Sequence, residues 1–154
     1  MKDLDLFLQE SNNIEDVWDD QSFKQAKKAW NYLIKQDKLT PENICRMQGI
    51  LSKYLLEEKY SGKFRDCAVW IGGREGRPWY AIPSLIENWC KKANESKNEE
   101  DIQMDHILYE RIHPFLDTNG RSGRILLNWQ RVKNNLPILV IYNDKKWDYY
   151  KWFN

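Results

Sequence analysis

Apolar residues recur along most of the chain at intervals of three and four, the period of helices that bury one face. In DDQSFKQAKKAWNYLIK, residues 19–35, Phe23, Ala26, Trp30, Leu33 and Ile34 share a face, and Asp19 or Asp20 is available as the cap. In LTPENICRMQGILSKYLLEEKY, residues 39–60, Thr40 reads as an N-cap with Pro41 at the first helical position. Ile44, Met47, Leu51, Tyr54 and Leu55 then run down one stripe. The period changes at GKFRDCAVWIGGREGRPWYAIP, where Cys67 to Ile71 favour strand and Gly72, Gly73 and Gly76 supply turns. This predicts a β-hairpin over 64–82. Helix resumes at Ser84, spaced as a capping box to Glu87, and DIQMDHILYERIH continues the pattern through Met104, Leu108 and Ile112. A further helix follows DTNG, with Ile125, Trp129 and Val132 on its apolar face, and Asn134, Asn135 and Pro137 close it. NDKKWDYYKWF predicts a last short helix.

Composition narrows the classes. With 154 residues, 42% of them hydrophobic, the chain suits one domain over 1–154 that builds its core without disulfides or structural metal. Twenty-four basic residues balance 23 acidic ones, so no broad field of one sign advertises nucleic acid or an anionic membrane. The three cysteines, Cys45, Cys67 and Cys90, fit neither a disulfide framework nor paired zinc ligands and read as buried thiols in a reducing compartment. No stretch approaches the roughly 20 apolar residues of a membrane span, and MKDLDLFLQE is acidic where a signal peptide is basic. The expectation is a cytoplasmic protein. Eight tryptophans point to a dense core plus a contact surface.

The chemistry concentrates in HPFLDTNGRSGR, residues 113–124. The glycine-containing loop leads into the positive end of a helix, where unpaired N–H groups suit phosphate oxygens. Arg121 and Arg124, three apart on the first turn of that helix, can reach one anion. Asp117 beside bound phosphates suits magnesium, and His113 at the preceding helix end can take a proton near neutral pH. Asn119 can hold a phosphate or fix the loop. Each feature alone also reads as turn chemistry or a solvated face, but a turn needs no flanking histidine and no paired arginines.

These residues resemble the signature of the Fic (filamentation induced by cAMP) family, H-P-F-x-[D/E]-G-N-G-R-x-x-R, at His113, Pro114, Phe115, Asp117, Asn119, Gly120, Arg121 and Arg124. HILYERIH looks like the family's helix before the motif and GKFRDCAVWIGG like its flap, so the likeness covers nearly the whole chain. It implies an all-α fold, mainly a helical bundle, with a small β-hairpin flap. It also implies transfer of AMP from ATP, with Mg2+, to a Ser, Thr or Tyr hydroxyl of a target protein. His113 would be the general base and Asp117 the metal ligand. Thr118, Asn119 and Gly120 would form the anion cradle, with Arg121 and Arg124 on the phosphates. Val69, Trp70, Ile71 and Gly72 of the flap would dock the target backbone by strand addition. A homo-oligomer is compatible with the resemblance. The family's first loop glycine is Thr118 here, a β-branched residue that resists positive φ. Phosphate transfer or AMP removal by the same scaffold, and a weakly catalytic binding module, are the alternatives.

SNNIED, residues 11–16, resembles the family's inhibitory motif, [S/T]-x-x-x-E-[G/N], through Ser11 and Glu15, with Asp16 departing at the last position. The resemblance implies an inhibitory helix over 11–19. Its Glu15 would pair bidentately with Arg124 where the outermost phosphate belongs. Asn12 and Glu15 also have the spacing of a capping box at a helix start.

Overall fold

The structure is a computed structural model describing residues 2–154. It is a bundle of seven α-helices with one two-stranded antiparallel ribbon. The helices are α1 (Lys2–Ile14), α2 (Asp20–Leu33), α3 (Pro41–Ser52), α4 (Ile82–Glu95), α5 (Glu99–Ile112), α6 (Asn119–Lys133) and α7 (Lys146–Tyr150). The ribbon pairs β1 (Trp70–Ile71) with β2 (Arg74–Glu75). Among the described residues no helix is long and apolar enough to cross a membrane.

The caps follow local chemistry. Asp19 caps α2 by accepting from the Ser22 N–H at 2.9 Å. Thr40 and Asn43 exchange reciprocal bonds at the start of α3, with Pro41 in its first turn. Helix α6 is the central element: residues 121 to 131 are buried without interruption, Ile125, Leu126 and Trp129 among them in the main core with Trp30, Ile44, Met47, Ile86 and Tyr109. Phe7 and Leu8 dock α1 on the same core, the Phe7 ring meeting Trp30 edge-on at 6.2 Å. A smaller cluster joins Ile14, Ile102, Leu127, Ile141 and Tyr149 and seats the C-terminal segment.

Several expectations are corrected. Helix α3 stops at Ser52, so Tyr54 and Leu55 leave the stripe and are exposed. The hairpin is shorter than 64–82: only 70–71 and 74–75 pair, one further bond runs from Gly76 N–H to Val69 O, and Trp79–Ala81 is a 3-10 turn. Gly72 and Gly73, with φ of 54° and 83°, supply the tight turn that the right-handed ribbon twist favours. Helix α4 starts at Ile82 with Pro83 in its first turn, so Ser84 and Glu87 form no capping box. The pattern does not continue into 101–113 as one helix, because Asn98 caps a new one through Asp101 N–H at 2.8 Å. Met104 lies exposed. Of the three thiols only Cys90 is buried, Cys45 is half-buried and Cys67 is exposed.

The N-terminal motif ends a helix instead of starting one. Val17 N–H bonds Asn12 O and Asp16 N–H bonds Asn13 O, the paired bonds of a Schellman motif, with Asp16 at φ 58°. The capping-box reading of Asn12 and Glu15 is therefore wrong, and residues 15–19 are not helical. The left-handed position explains why the resembled motif carries glycine or asparagine there. Aspartate is among the few other residues that tolerate it.

Candidate active site

Helix α5 delivers His113 and α6 delivers the anion-binding residues, with the turn of 114–118 between them. His113 occupies the left-handed C-cap of α5, at φ 51°. Its Nδ1 lies 3.3 Å from Glu110 O, an atom that can only accept, so Nδ1 carries the proton and Nε2 is free to act as a base. Burial, the largest influence, lowers the His113 pKa below the usual histidine value, and the Arg65 charge works in the same direction.

Thr118 adopts the conformation that the sequence makes costly, φ 67° and ψ 18°, as N-cap of α6. Its hydroxyl donates to Asp117 O at 2.6 Å and accepts from the buried Gln48 amide at 3.1 Å. The threonine side chain is thus fully engaged and offers nothing to a phosphate. Of the two roles open to it, the Asn119 side chain takes the second: it clasps both backbone groups of Phe115, at 2.9 and 2.8 Å, and so fixes the loop. What remains for an anion is backbone. Thr118 makes no side-chain cap bond, and the first intrahelical bond runs from Ser122 N–H, so the N–H groups of 119–121 stand at an uncapped helix start.

Arg124 is 1% exposed and clamped. Its Nε donates to Ser11 Oγ at 2.7 Å, and its Nη2 donates to Ser11 O at 3.0 Å and Glu15 Oε1 at 2.8 Å. The Glu15 contact is a single bond, not the bidentate pair expected, because Ser11 takes Nε and the other Nη2 hydrogen while Nη1 turns to Tyr149. Any Cβ on Gly120 would stand 2.5 Å from Glu15 Oε1, so only glycine leaves room for that carboxylate oxygen. Arg124 Nη1 also reaches Tyr149 OH at 3.4 Å, and Tyr149 lies 2.6 Å from His106 Nε2. Since His106 Nδ1 faces Gly123 O, the ring donates there and accepts from Tyr149. Burial drops the His106 pKa to about 3 and raises that of Glu110, beside it, to about 8, so both are neutral near pH 6.

Two cavities meet here. One of about 870 Å³ is lined by His113, Gly120, Arg124, Glu15 and Tyr149, and from the flap by Ile71 and Gly72. Val69 and Trp70 do not line it, and Trp70 is 68% exposed. The second, about 330 Å³, is lined by Asp117 to Arg121 and again by Glu15 and His113. Glu15 therefore stands in the wall common to both. Arg121 is buried at this second cavity, its Nε without a partner and its Nη2 3.9 Å from Asp117 Oδ1. A buried guanidinium with an open donor beside unpaired helix N–H groups suits an anion. Asp117 is exposed, and among the described residues no three His, Cys, Asp or Glu side chains form a metal cage. A lone carboxylate fits magnesium held mostly by phosphate and water.

Sequence reasoning found the motif residues but missed Tyr149, Gln48 and Arg65. Tyr149 was hidden in an aromatic run, and no spacing pattern marks the other two.

Comparison with known proteins identifies the family and the fold. The model of the Fic/DOC family matches residues 38–130, and the chain belongs to that family. A probable protein adenylyltransferase of Aquifex aeolicus is 40% identical over 73 residues, 46% of this chain and 23% of that one. The protein adenylyltransferase Fic of Drosophila mojavensis is 30% identical over 94 residues, 58% of this chain and 19% of that one. This chain thus spans about a fifth of the length of such curated relatives. A Fic domain containing signaling protein from Bacteroides thetaiotaomicron superposes with a TM-score of 0.81 at 18% identity, covering 97% of this chain and 70% of that one. A Fic family protein from Desulfovibrio desulfuricans gives 0.77 at 20% identity, covering 96% and 55%. The fold is that of Fic domains. The family match excludes the segment carrying Ser11 and Glu15.

Proposed function

We propose that this chain transfers AMP from ATP to a side-chain hydroxyl of a target protein and that Glu15 holds it inactive. The observation that carries the reading is the Glu15 carboxylate on Arg124 above Gly120, an anion already seated beside an uncapped helix start. Relatives named protein adenylyltransferase support the reaction class.

In this reading ATP lays its phosphates along the start of α6, held by the N–H groups of 119–121 and by Arg121 and Arg124. Asp117 would hold magnesium, which supplies charge neutralisation on the phosphates when bound. The target hydroxyl oxygen attacks the α-phosphorus, its proton passes to His113 Nε2, and the bond to the β-phosphate oxygen breaks to release pyrophosphate. Desolvation, which lowers the His113 pKa, favours the neutral imidazole that such a base requires. The flap, which reaches the cleft with Ile71 and Gly72, offers an unpaired strand edge to the target backbone. While Glu15 occupies Arg124, the outermost phosphate lacks its partner and the α-phosphorus sits off the attacking line.

The test is to incubate the Glu15→Gly chain with magnesium, cell lysate and ATP labelled at the α or the γ phosphate. Label from α alone is the expected result. Label from γ alone means phosphoryl transfer, and label from neither means a binding module.

A further inference from the structure

Arg65 lies in the flap stretch GKFRDCAVWIGG, which assigns it no role, yet the residue is only 3% exposed. Among the described residues no carboxylate lies within ion-pair distance of it. Every bond it donates goes to a backbone carbonyl. On one side, Nη2 reaches Ile112 O at 3.2 Å, Nε reaches His113 O at 2.6 Å, and the Arg65 N–H reaches Pro114 O at 2.9 Å. These are three successive carbonyls around the candidate base. On the other side, Nη1 reaches Cys67 O at 2.7 Å and Nη2 reaches Arg77 O at 2.5 Å. Cys67 and Arg77 are the two feet of the hairpin, before Trp70 and after Glu75.

The arrangement answers a specific difficulty. Carbonyls at the C-terminal end of α5 lack intrahelical donors and carry the negative end of the helix dipole. His113 there is left-handed although it is not glycine and precedes proline, a conformation that persists only when its surroundings hold it. A planar, multi-donor cation can satisfy those carbonyls and still reach both hairpin feet. An ammonium on a flexible stem cannot serve that many directions at once.

We infer that Arg65 is a positioning residue that bolts both feet of the flap to the backbone of His113, so that a target segment seated on the flap is held in fixed register with the histidine ring. The inference rests on the proposed transfer reaction for its consequence in catalysis, but not for the coupling itself. Arg65 faces His113 from the flap foot, Glu15 from the end of α1 and Asp117 from the loop, and of these Arg65 alone is cationic. Gly76 provides an independent handle. A Cβ there would stand 3.2 Å from Arg65 Nη2 and 3.2 Å from Val69 Cγ2, so Gly76→Ala crowds the guanidinium and the hairpin foot by a few tenths of an ångström without changing any charge.

The experiment uses the full chain with Glu15→Gly as parent, compared with Arg65→Lys and Gly76→Ala made in it. Should Arg65→Lys fail to fold, Gly76→Ala carries the test. Backbone amide relaxation over 69–76 should fall from a rigid order parameter of about 0.85 toward about 0.6 or below, while the amides of α2 and α3 stay unchanged. The ring signals of His113 should shift. They are easily followed because the chain has only two histidines. In transfer assays the KM for the protein target should rise about tenfold with the KM for ATP within about twofold of the parent, a split that general loss of stability would not give. An unmoved flap and an unshifted His113 ring in a folded variant overturn the inference. So does a loss shared equally by target and ATP. If the parent transfers nothing, the proposed reaction fails, while relaxation and ring signals still decide the role of Arg65.

Discussion

Thr118 concentrates opposing energies that can be weighed before any measurement. A side chain at φ 67° costs about 1–2 kcal/mol relative to a right-handed conformation, and a β-branched one lies at the upper end. Glycine removes that cost but loses the Gln48 amide bond, about 0.5–1.5 kcal/mol, and leaves a small void at a buried site. The two sides nearly cancel, so Thr118→Gly should fall within about 1 kcal/mol of the parent, a shift of no more than about 2–4 °C in Tm for a chain this size. Thr118→Ala keeps most of the strain and loses the hydroxyl, and should be about 1–2 kcal/mol less stable than the parent. Thr118→Val keeps all the strain and presents a methyl to the Gln48 amide. It should be the worst of the three, by about another 1 kcal/mol. Denaturant unfolding of the series reads the order directly. Because the Thr118 hydroxyl is turned to Asp117 O and Gln48, Thr118→Gly should also preserve or raise AMP transfer. A glycine variant less stable than the alanine one would refute the strain argument, and a tenfold loss of transfer in Thr118→Gly would show that the side chain serves the nucleotide after all.

Three further predictions follow from the same geometry. His113→Ala, made with Glu15→Gly, should lower transfer about 10²- to 10⁴-fold while ATP binding measured by calorimetry persists; near-normal transfer would remove His113 from the mechanism. Because burial lowers the His113 pKa, the acid limb of the rate profile should have its midpoint below about 6.5, and a midpoint above it would contradict a buried base. His106 and Glu110 give stability a pH optimum. With a folded pKa of about 3, His106 takes up its proton only on unfolding between there and about 6.5, so its contribution is lost as pH falls through that window. Glu110, at about 8 when folded, releases its proton on unfolding from about pH 4.5 upward, so its contribution is lost as pH rises. The two oppose between about 4.5 and 6.5, and above that Glu110 alone acts. Glu110→Gln should therefore flatten the decline in Tm from pH 6.5 to 8, and an unchanged slope would show that Glu110 does not titrate there.

Much of this molecule was readable from local chemistry. Thr40 with Pro41, Asp19, and the stripe of Ile125 and Trp129 are signals whose causes lie within one turn of chain, and the HPFLDTNGRSGR residues do meet around one pair of cavities. Readings failed where the partner was distant or polar. The buried face of α5 includes Asp105 and His106, so a search for apolar periodicity settled on Met104, which the 100° helical step rotates into solvent. For Asn119 the choice between phosphate ligand and loop brace stayed open in the sequence, because its partner, the Phe115 backbone, has no sequence signature. Arg65 was invisible for the same reason: all its acceptors are main-chain carbonyls. Glu15 was recognised through its motif, but its place at a helix end depended on Asp16 adopting a left-handed conformation that sequence alone leaves open.

The central claim is that the Glu15 carboxylate stands where a phosphate of ATP must be ordered by Arg124. Its most direct test is the initial rate of AMP incorporation, from α-labelled ATP with magnesium, into the chain itself and into a lysate. Three proteins are compared: the parent chain, Glu15→Gly, and Glu15→Gly combined with Arg124→Ala. Misplacement of reacting groups by about 1 Å costs on the order of a hundredfold, so the single variant should exceed the parent by about that factor and the double variant should lose the gain. A Glu15→Gly chain that is less stable and no more active, or a double variant that keeps the full gain, would contradict the account.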